Sequence, residues 1–181
     1  TDSAAVVEAI AGTGRTAFLF TGQGAQRAGM GAGLYRAFEA FATAFDDICA
    51  RIDPLLGRSL KDLMFDGDPE LLERTEFTQP ALFAFEVALF RLLASFGVTP
   101  DLLIGHSIGE LTAAHVAGVW SLEDACRLVV ARGRLMGALP VGGAMLAVAV
   151  GEAAATELVA EYGDRLSIAA VNGPSSVVLS G

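Results

Sequence analysis

Positive charge is scarce in this chain and of nearly one kind: Lys61 is its sole lysine, and the other cations are arginines. With 12 Lys and Arg against 21 Asp and Glu, a net charge of −9 and no basic cluster, it lacks the electrostatic footprint of a nucleic-acid partner. Cysteine is also rare. Cys49 and Cys126 fall in helical patterns without metal-ligand spacing; no metal site is expected, and both read as buried thiols of a reducing, cytoplasmic compartment. No uninterrupted apolar run approaches the ~18 residues of a membrane span, although mean hydropathy is positive. The most apolar helix candidate, Ala81 to Phe96, carries Glu86 and Arg91 and reads as a core helix. No signal peptide or internal repeat is visible. The chain begins at Thr1 without a methionine, so processing or excision from a longer polypeptide is expected.

What the chain does contain is a core. Its 181 residues are 53% apolar and 18% charged, enough for one domain or one domain with part of another. The central stretch is Leu102-Leu103-Ile104-Gly105-His106-Ser107-Ile108-Gly109-Glu110, followed by the helix-like Leu111 to Ala117. An apolar strand, Gly-x-Ser-x-Gly and a helix, in that order, make a nucleophile elbow. The serine needs a sharp turn, and Gly105 and Gly109 remove the side chains that would block it. The helix that follows aims its first amides at negative charge developing beside Ser107.

Ahead of the elbow, residues 1–14 read as a linker. The strand Thr16 to Phe20, apolar on both faces, runs into Thr21-Gly22-Gln23-Gly24-Ala25-Gln26, a loop able to bring backbone amides close to a ligand but lacking a nucleotide fingerprint. Gly33 to Ile52 has helical period with Phe38, Phe41, Phe45 and Ile48 on one face, ended by Pro54 and Gly57. Lys61 to Glu76 reads as polar, with a turn and a short acidic helix. Thr78-Gln79-Pro80 is expected to open the core helix, with Thr78 near the cap.

After the elbow, Gly118 stops the helix and Ser121 caps the next, Leu122 to Leu139. The apolar face expected there is Ala125, Leu128, Val129, Leu135, Met136 and Leu139. At 3.6 periodicity that stripe calls for an apolar residue at 132, where the chain has Arg132. A buried guanidinium must be paired or hydrogen-bonded. Two readings stay open: an internal salt bridge, for instance to Glu110, or snorkelling; and a bidentate clamp for a substrate carboxylate. Beyond Gly142-Gly143 the order is strand 144–150, helix 152–162, strand 166–171, turn 172–175 and strand 176–179, the first part of a ferredoxin-like unit.

A serine nucleophile also needs a base. Of the two histidines, His106 adjoins Ser107 at a turn where neighbouring side chains diverge. His115 lies about 12 Å along the following helix at ~1.5 Å per residue. The base is expected from outside these residues.

In combination, Phe20-Thr21-Gly22-Gln23-Gly24-Ala25-Gln26, Thr78-Gln79-Pro80-Ala81-Leu82-Phe83, Gly105 to Glu110, Arg132-Gly133 and Asn172-Gly173-Pro174 resemble the N-terminal part of a malonyl-CoA:acyl carrier protein transacylase domain of modular polyketide synthases. The resemblance implies an α/β fold: an α/β-hydrolase-like large subdomain with a parallel sheet (15–140) and an inserted ferredoxin-like α+β small subdomain (141–181), both incomplete. It implies Ser107 as the acyl-accepting nucleophile, with the backbone amides of Gln23 and Ile108 as the oxyanion hole. Arg132, 25 residues beyond the serine, then matches the arginine that holds the malonyl carboxylate, and the clamp is favoured. His106 and Asn172 are lesser substrate-side candidates. No bound cofactor is implied; the substrates are a CoA thioester and a carrier protein's phosphopantetheine thiol. Implied partners are malonyl-CoA, the acyl carrier protein, neighbouring synthase domains and the remainder of the domain, which carries the family's catalytic histidine; neither nucleic acid nor membrane is expected. Ile108, where methylmalonyl members tend to have glutamine, and Glu76-Phe77-Thr78-Gln79-Pro80 point to malonyl. The alternatives are a serine hydrolase or editing thioesterase, and a non-catalytic scaffold domain.

Overall fold

The computed structural model describes residue 12, residues 14–140 and residues 142–181. The linker expected over 1–14 thus lies outside the described residues, Gly12 and Gly14 apart. The chain forms two compact units, one through Ala138 and one from Leu139 to Gly181.

In the first unit, β1 (Ala17–Phe20) and β2 (Leu102–Gly105) pair in parallel, with Phe20 opposite Gly105. Parallel neighbours need a long crossover, and five helices supply it: α1 (Ala32–Ala37), α2 (Glu39–Leu56), α3 (Leu60–Phe65), α4 (Pro69–Leu72) and α5 (Thr75–Ser95). Helices α6 (Ile108–Val116) and α7 (Leu122–Gly137) follow β2. Phe18 meets Phe90 of α5 edge-on at 6.0 Å. The opposite face is open, with Leu19 73% and Ile104 55% exposed. The strand read as apolar on both faces is therefore covered on one face only.

The core lies between α2, α5 and α7. Phe41, Phe45, Ile48 and Ile52 recur at helical spacing along α2 and are fully buried; full burial of such side chains stabilises by about 1.5–3 kcal/mol each before entropy. The single helix expected over 33–52 is two, because Phe38 is extended (φ −133°) and its ring packs on Phe96. Pro54 does not end α2. It lies in the last turn, where little is lost beyond one backbone bond, and Gly57 (φ 74°) makes the stop. Leu60, Leu63 and Met64 are buried on α3, so the stretch read as polar is amphipathic. Ser59 and Asp68 cap α3 and α4. Helix α5 begins at Thr75, three residues before the expected cap, and takes Pro80 inside. It is long and apolar enough to cross a membrane, and 67% of its most apolar window is buried in this core.

In the second unit, β3 (Met145–Val148), α8 (Glu152–Tyr162), β4 (Ser167–Gly173) and β5 (Ser176–Ser180) build an antiparallel sheet of order β3-β5-β4. Ala155 packs on Val177 and Leu179. Asn172 and Gly173 belong to β4, and Pro174-Ser175 alone make the turn. The α/β class with one parallel and one small antiparallel sheet is the one the sequence implied.

Glu86 stands out in the first core: 9% exposed, it pairs with no cation among the described residues. Burial raises its pKa above the usual carboxylate range, only partly offset by hydrogen bonds from Thr112 and Thr21. A carboxyl raised in the folded state contributes stability below its unfolded pKa and loses it as pH rises through the folded one. The stability difference between Glu86→Gln and the parent is therefore expected to shift in favour of the variant as pH rises above the ordinary carboxylate range, measured by denaturant unfolding at several pH values; a difference independent of pH would contradict this.

Candidate active site

Ser107 sits between β2 and α6 with φ 56° and ψ −115°, the one positive φ outside glycine among the described residues. That conformation costs roughly 1–3 kcal/mol for a residue with a Cβ. The surroundings enforce it. A Cβ on Gly105 would run into the backbone of Gly109 and Glu110, and one on Gly109 into the carbonyls of Phe20 and Thr21. Both glycines are demanded by close backbone approach, since neither has positive φ. His106 N–H continues the strand ladder to the carbonyl of Phe20 at 3.1 Å. The Ile108 amide, first of α6, donates to no backbone carbonyl among the described residues, and neither does that of Gln23.

Arg132 reaches this turn from α7. Its Nη2 donates to Ser107 Oγ at 3.2 Å and its Nη1 to Gln79 Oε1 at 2.6 Å. It pairs with no carboxylate among the described residues, so the expected alternative of a bridge to Glu110 is not formed. Behind it, Gln79 is 1% exposed and its Nε2 donates to Thr75 Oγ1 at 2.9 Å and Met136 Sδ at 3.2 Å. Thr75 Oγ1 in turn donates to Gln23 Oε1 at 2.8 Å. One hydrogen-bonded chain thus joins the loop after β1, α5, α7 and the serine.

The phase of α7 differs from the expected one. Ala125, Cys126, Val129, Val130 and Gly133 are buried, while Leu128, Leu135 and Met136 are exposed. Gly133 explains the difference. A Cβ there would come within 3.1 Å of Glu76 Cα and Thr75 O, so a glycine marks the closest helix approach, which hydrophobicity cannot register. Arg132 is accordingly at the half-buried edge of the contact, not in the middle of an apolar stripe.

Neither histidine is hydrogen-bonded to the Ser107 hydroxyl, which is met by Arg132. The His106 ring lies against Gly22, its Nδ1 2.7 Å from where a Gly22 Cβ would stand. His115 Nδ1 is 3.1 Å from the Trp120 carbonyl, and burial lowers its pKa. Asn172 is an exposed residue of the second unit. Cys49 and Cys126 are buried free thiols, pushed up to about 12 by burial and so inert as nucleophiles. No group of three or more His, Cys, Asp or Glu among the described residues could hold a metal ion. Nothing in the sequence assigns Gln79 or Thr75 a role; the available signal was a glutamine just ahead of the apolar run Ala81-Leu82-Phe83-Ala84-Phe85.

Residues 17–181 match the family model described as acyl transferase domain. The chain is 61% identical over 173 residues to polyketide synthase GfsA of Streptomyces halstedii, covering 93% of the chain and 2% of that protein. It is 57% identical to mycoketide-CoA synthase of Mycobacterium tuberculosis, covering 93% of the chain and 4% of that protein. The crystal structure of the acyltransferase domain from the second module of the salinomycin polyketide synthase superposes with a TM-score of 0.87 at 60% identity, over 94% of this chain and 39% of that one. The acyl-carrier-protein-S-malonyltransferase of Bartonella henselae gives 0.79 at 35%, over 91% and 54%. The chain therefore spans a small part of these synthases and less than half of the salinomycin domain, and it belongs to the acyl transferase domain family.

Proposed function

We propose that this chain is the serine-bearing part of an acyltransferase that moves malonyl from CoA to the phosphopantetheine thiol of an acyl carrier protein in cytoplasmic polyketide assembly. One observation carries the reading: Arg132, without a carboxylate partner among the described residues, is held 3.2 Å from the hydroxyl of an elbow serine. A guanidinium fixed from behind and open in front suits an acyl group that ends in a carboxylate.

In the first half-reaction, Ser107 Oγ attacks the thioester carbonyl while its proton passes to a base. The amides of Gln23 and Ile108 hold the oxyanion. The intermediate collapses, the C–S bond breaks, and CoA leaves as the thiol with that proton, giving a Ser107 ester. In the second, the carrier thiol gives its proton to the base and attacks the ester; Ser107 leaves and is reprotonated. The family resemblance supplies the base as a histidine outside these residues; within them His115 lies at the Trp120 carbonyl and the His106 ring lies against Gly22, and neither is hydrogen-bonded to Ser107. Arg132 holds the malonyl carboxylate throughout, and the two units are the first parts of the large and small subdomains. Ile108 after the serine and the Glu76 to Pro80 stretch support malonyl as the group carried, as does the likeness to a protein named as an S-malonyltransferase.

The test is the fate of the acyl group. Given malonyl-CoA and excess phosphopantetheinylated carrier protein, the complete domain is expected to place malonyl on the carrier thiol faster than it releases malonate. Release outrunning transfer would instead favour a thioesterase, and no turnover would favour a scaffold.

A further inference from the structure

We infer that Glu86 is a positioning residue for the oxyanion hole: one buried carboxylate fixes, relative to each other, the two segments that carry the Gln23 and Ile108 amides. This rests on the acyltransferase reading above. Glu86 Oε1 accepts from Thr21 N at 2.7 Å and from Thr21 Oγ1 at 3.0 Å. Its other oxygen, Oε2, accepts from Thr112 Oγ1 at 2.9 Å. Thr21 is two residues before Gln23. Thr112 is one turn after Ile108, and its hydroxyl also lies 3.5 Å from the Ile108 carbonyl.

The loop and the first turn of α6 touch directly, since Gly109 packs its bare Cα on the carbonyls of Phe20 and Thr21. Van der Waals contact sets how close the segments come, but it permits sliding. Directional bonds from a single carboxylate remove that freedom. Glu86 sits on α5, the same helix whose Thr75 holds the Gln23 side chain and whose Gln79 holds Arg132. One rigid helix thus reaches all the elements that carry the proposed site. Burying a carboxylate without a cation is costly, and convergence of three donors on it is what makes the arrangement tolerable.

A misplacement of about 1 Å in such a site can cost roughly 10²-fold in rate. The complete acyltransferase domain would be compared with Glu86→Leu, Thr112→Val and Glu86→Gln. Two quantities are read per folded protein: the single-turnover rate of Ser107 acylation by malonyl-CoA, and the affinity for a non-hydrolysable malonyl-CoA analogue. Glu86→Leu and Thr112→Val are expected to slow acylation roughly 10- to 100-fold while affinity stays within about twofold. Glu86→Gln should recover much of the rate, because the Thr112 hydroxyl can turn to donate to Ile108 O and accept from the new amide. Thr112→Val, close to threonine in size, keeps the test open if Glu86→Leu does not fold. Normal acylation in Thr112→Val, or equal losses of affinity and rate, would overturn the inference alone. Absence of acylation in the unsubstituted domain would overturn the acyltransferase reading and this inference with it.

Discussion

Arg132→Ala is expected to cut malonyl transfer by about 30-fold to several thousand-fold while acetyl transfer stays within a few-fold. The range follows from the ~2–5 kcal/mol cost of truncating one partner of a buried, hydrogen-bonded charge pair at about 1.4 kcal/mol per decade. Acetyl lacks the carboxylate and has nothing to lose. The geometry favours the upper part of the range, because Gln79, itself held by Thr75, already holds the guanidinium in place and little ordering is left for the substrate to complete. Arg132→Lys should not rescue. An ammonium cannot make the bond to Gln79 and a bidentate pair with a carboxylate at once. The measurement is kcat/KM for malonyl-CoA and acetyl-CoA side by side. Equal losses for both groups would show that Arg132 supports the site generally and does not read the carboxylate.

The second large effect belongs to Ser107. Ser107→Ala is expected to lower acyl transfer by roughly 10⁴- to 10⁶-fold, the scale on which loss of a serine nucleophile acts in other enzymes, and to abolish any covalent acyl species. Stability should change by about 0.5 kcal/mol or less. Alanine has the same Cβ and bears the same strain at φ 56°, and only the exposed bond from Arg132 is lost. That separation of activity from stability tells a nucleophile from a structural serine.

Much of this was legible in the residues. The elbow was readable because its requirement is steric and local: a strand, two glycines and a helix start within a few positions. The Ser121 cap, bonded to Asp124 N at 3.1 Å, and the Gly118 stop (φ 83°) were readable for the same reason. Arg132 was singled out from a stripe that the structure phases differently. The structure places Arg132 beside Ser107, but the premise of a continuous apolar face is not correct, because the contact of α7 with α5 is made through Gly133. The start of α5 was misplaced because Pro80 reads as an opening signal, whereas Thr75 and Glu76 begin the helix one turn earlier. The break at Phe38 leaves no trace in hydrophobic period, since both flanking helices share it. Gln79, Thr75 and Glu86 could be seen only once α5 was packed, because their roles depend on partners 26 to 65 residues distant.

Ser107 as the carrier of the acyl group is tested most directly by intact-mass spectrometry after brief exposure to malonyl-CoA. The samples are this chain alone, the complete acyltransferase domain, and the Ser107→Ala form of each. A malonyl adduct that forms rapidly in the complete domain, slowly or not at all in this chain alone, and never in Ser107→Ala is the predicted result. An adduct that persists in Ser107→Ala, or none in the complete domain, would contradict it.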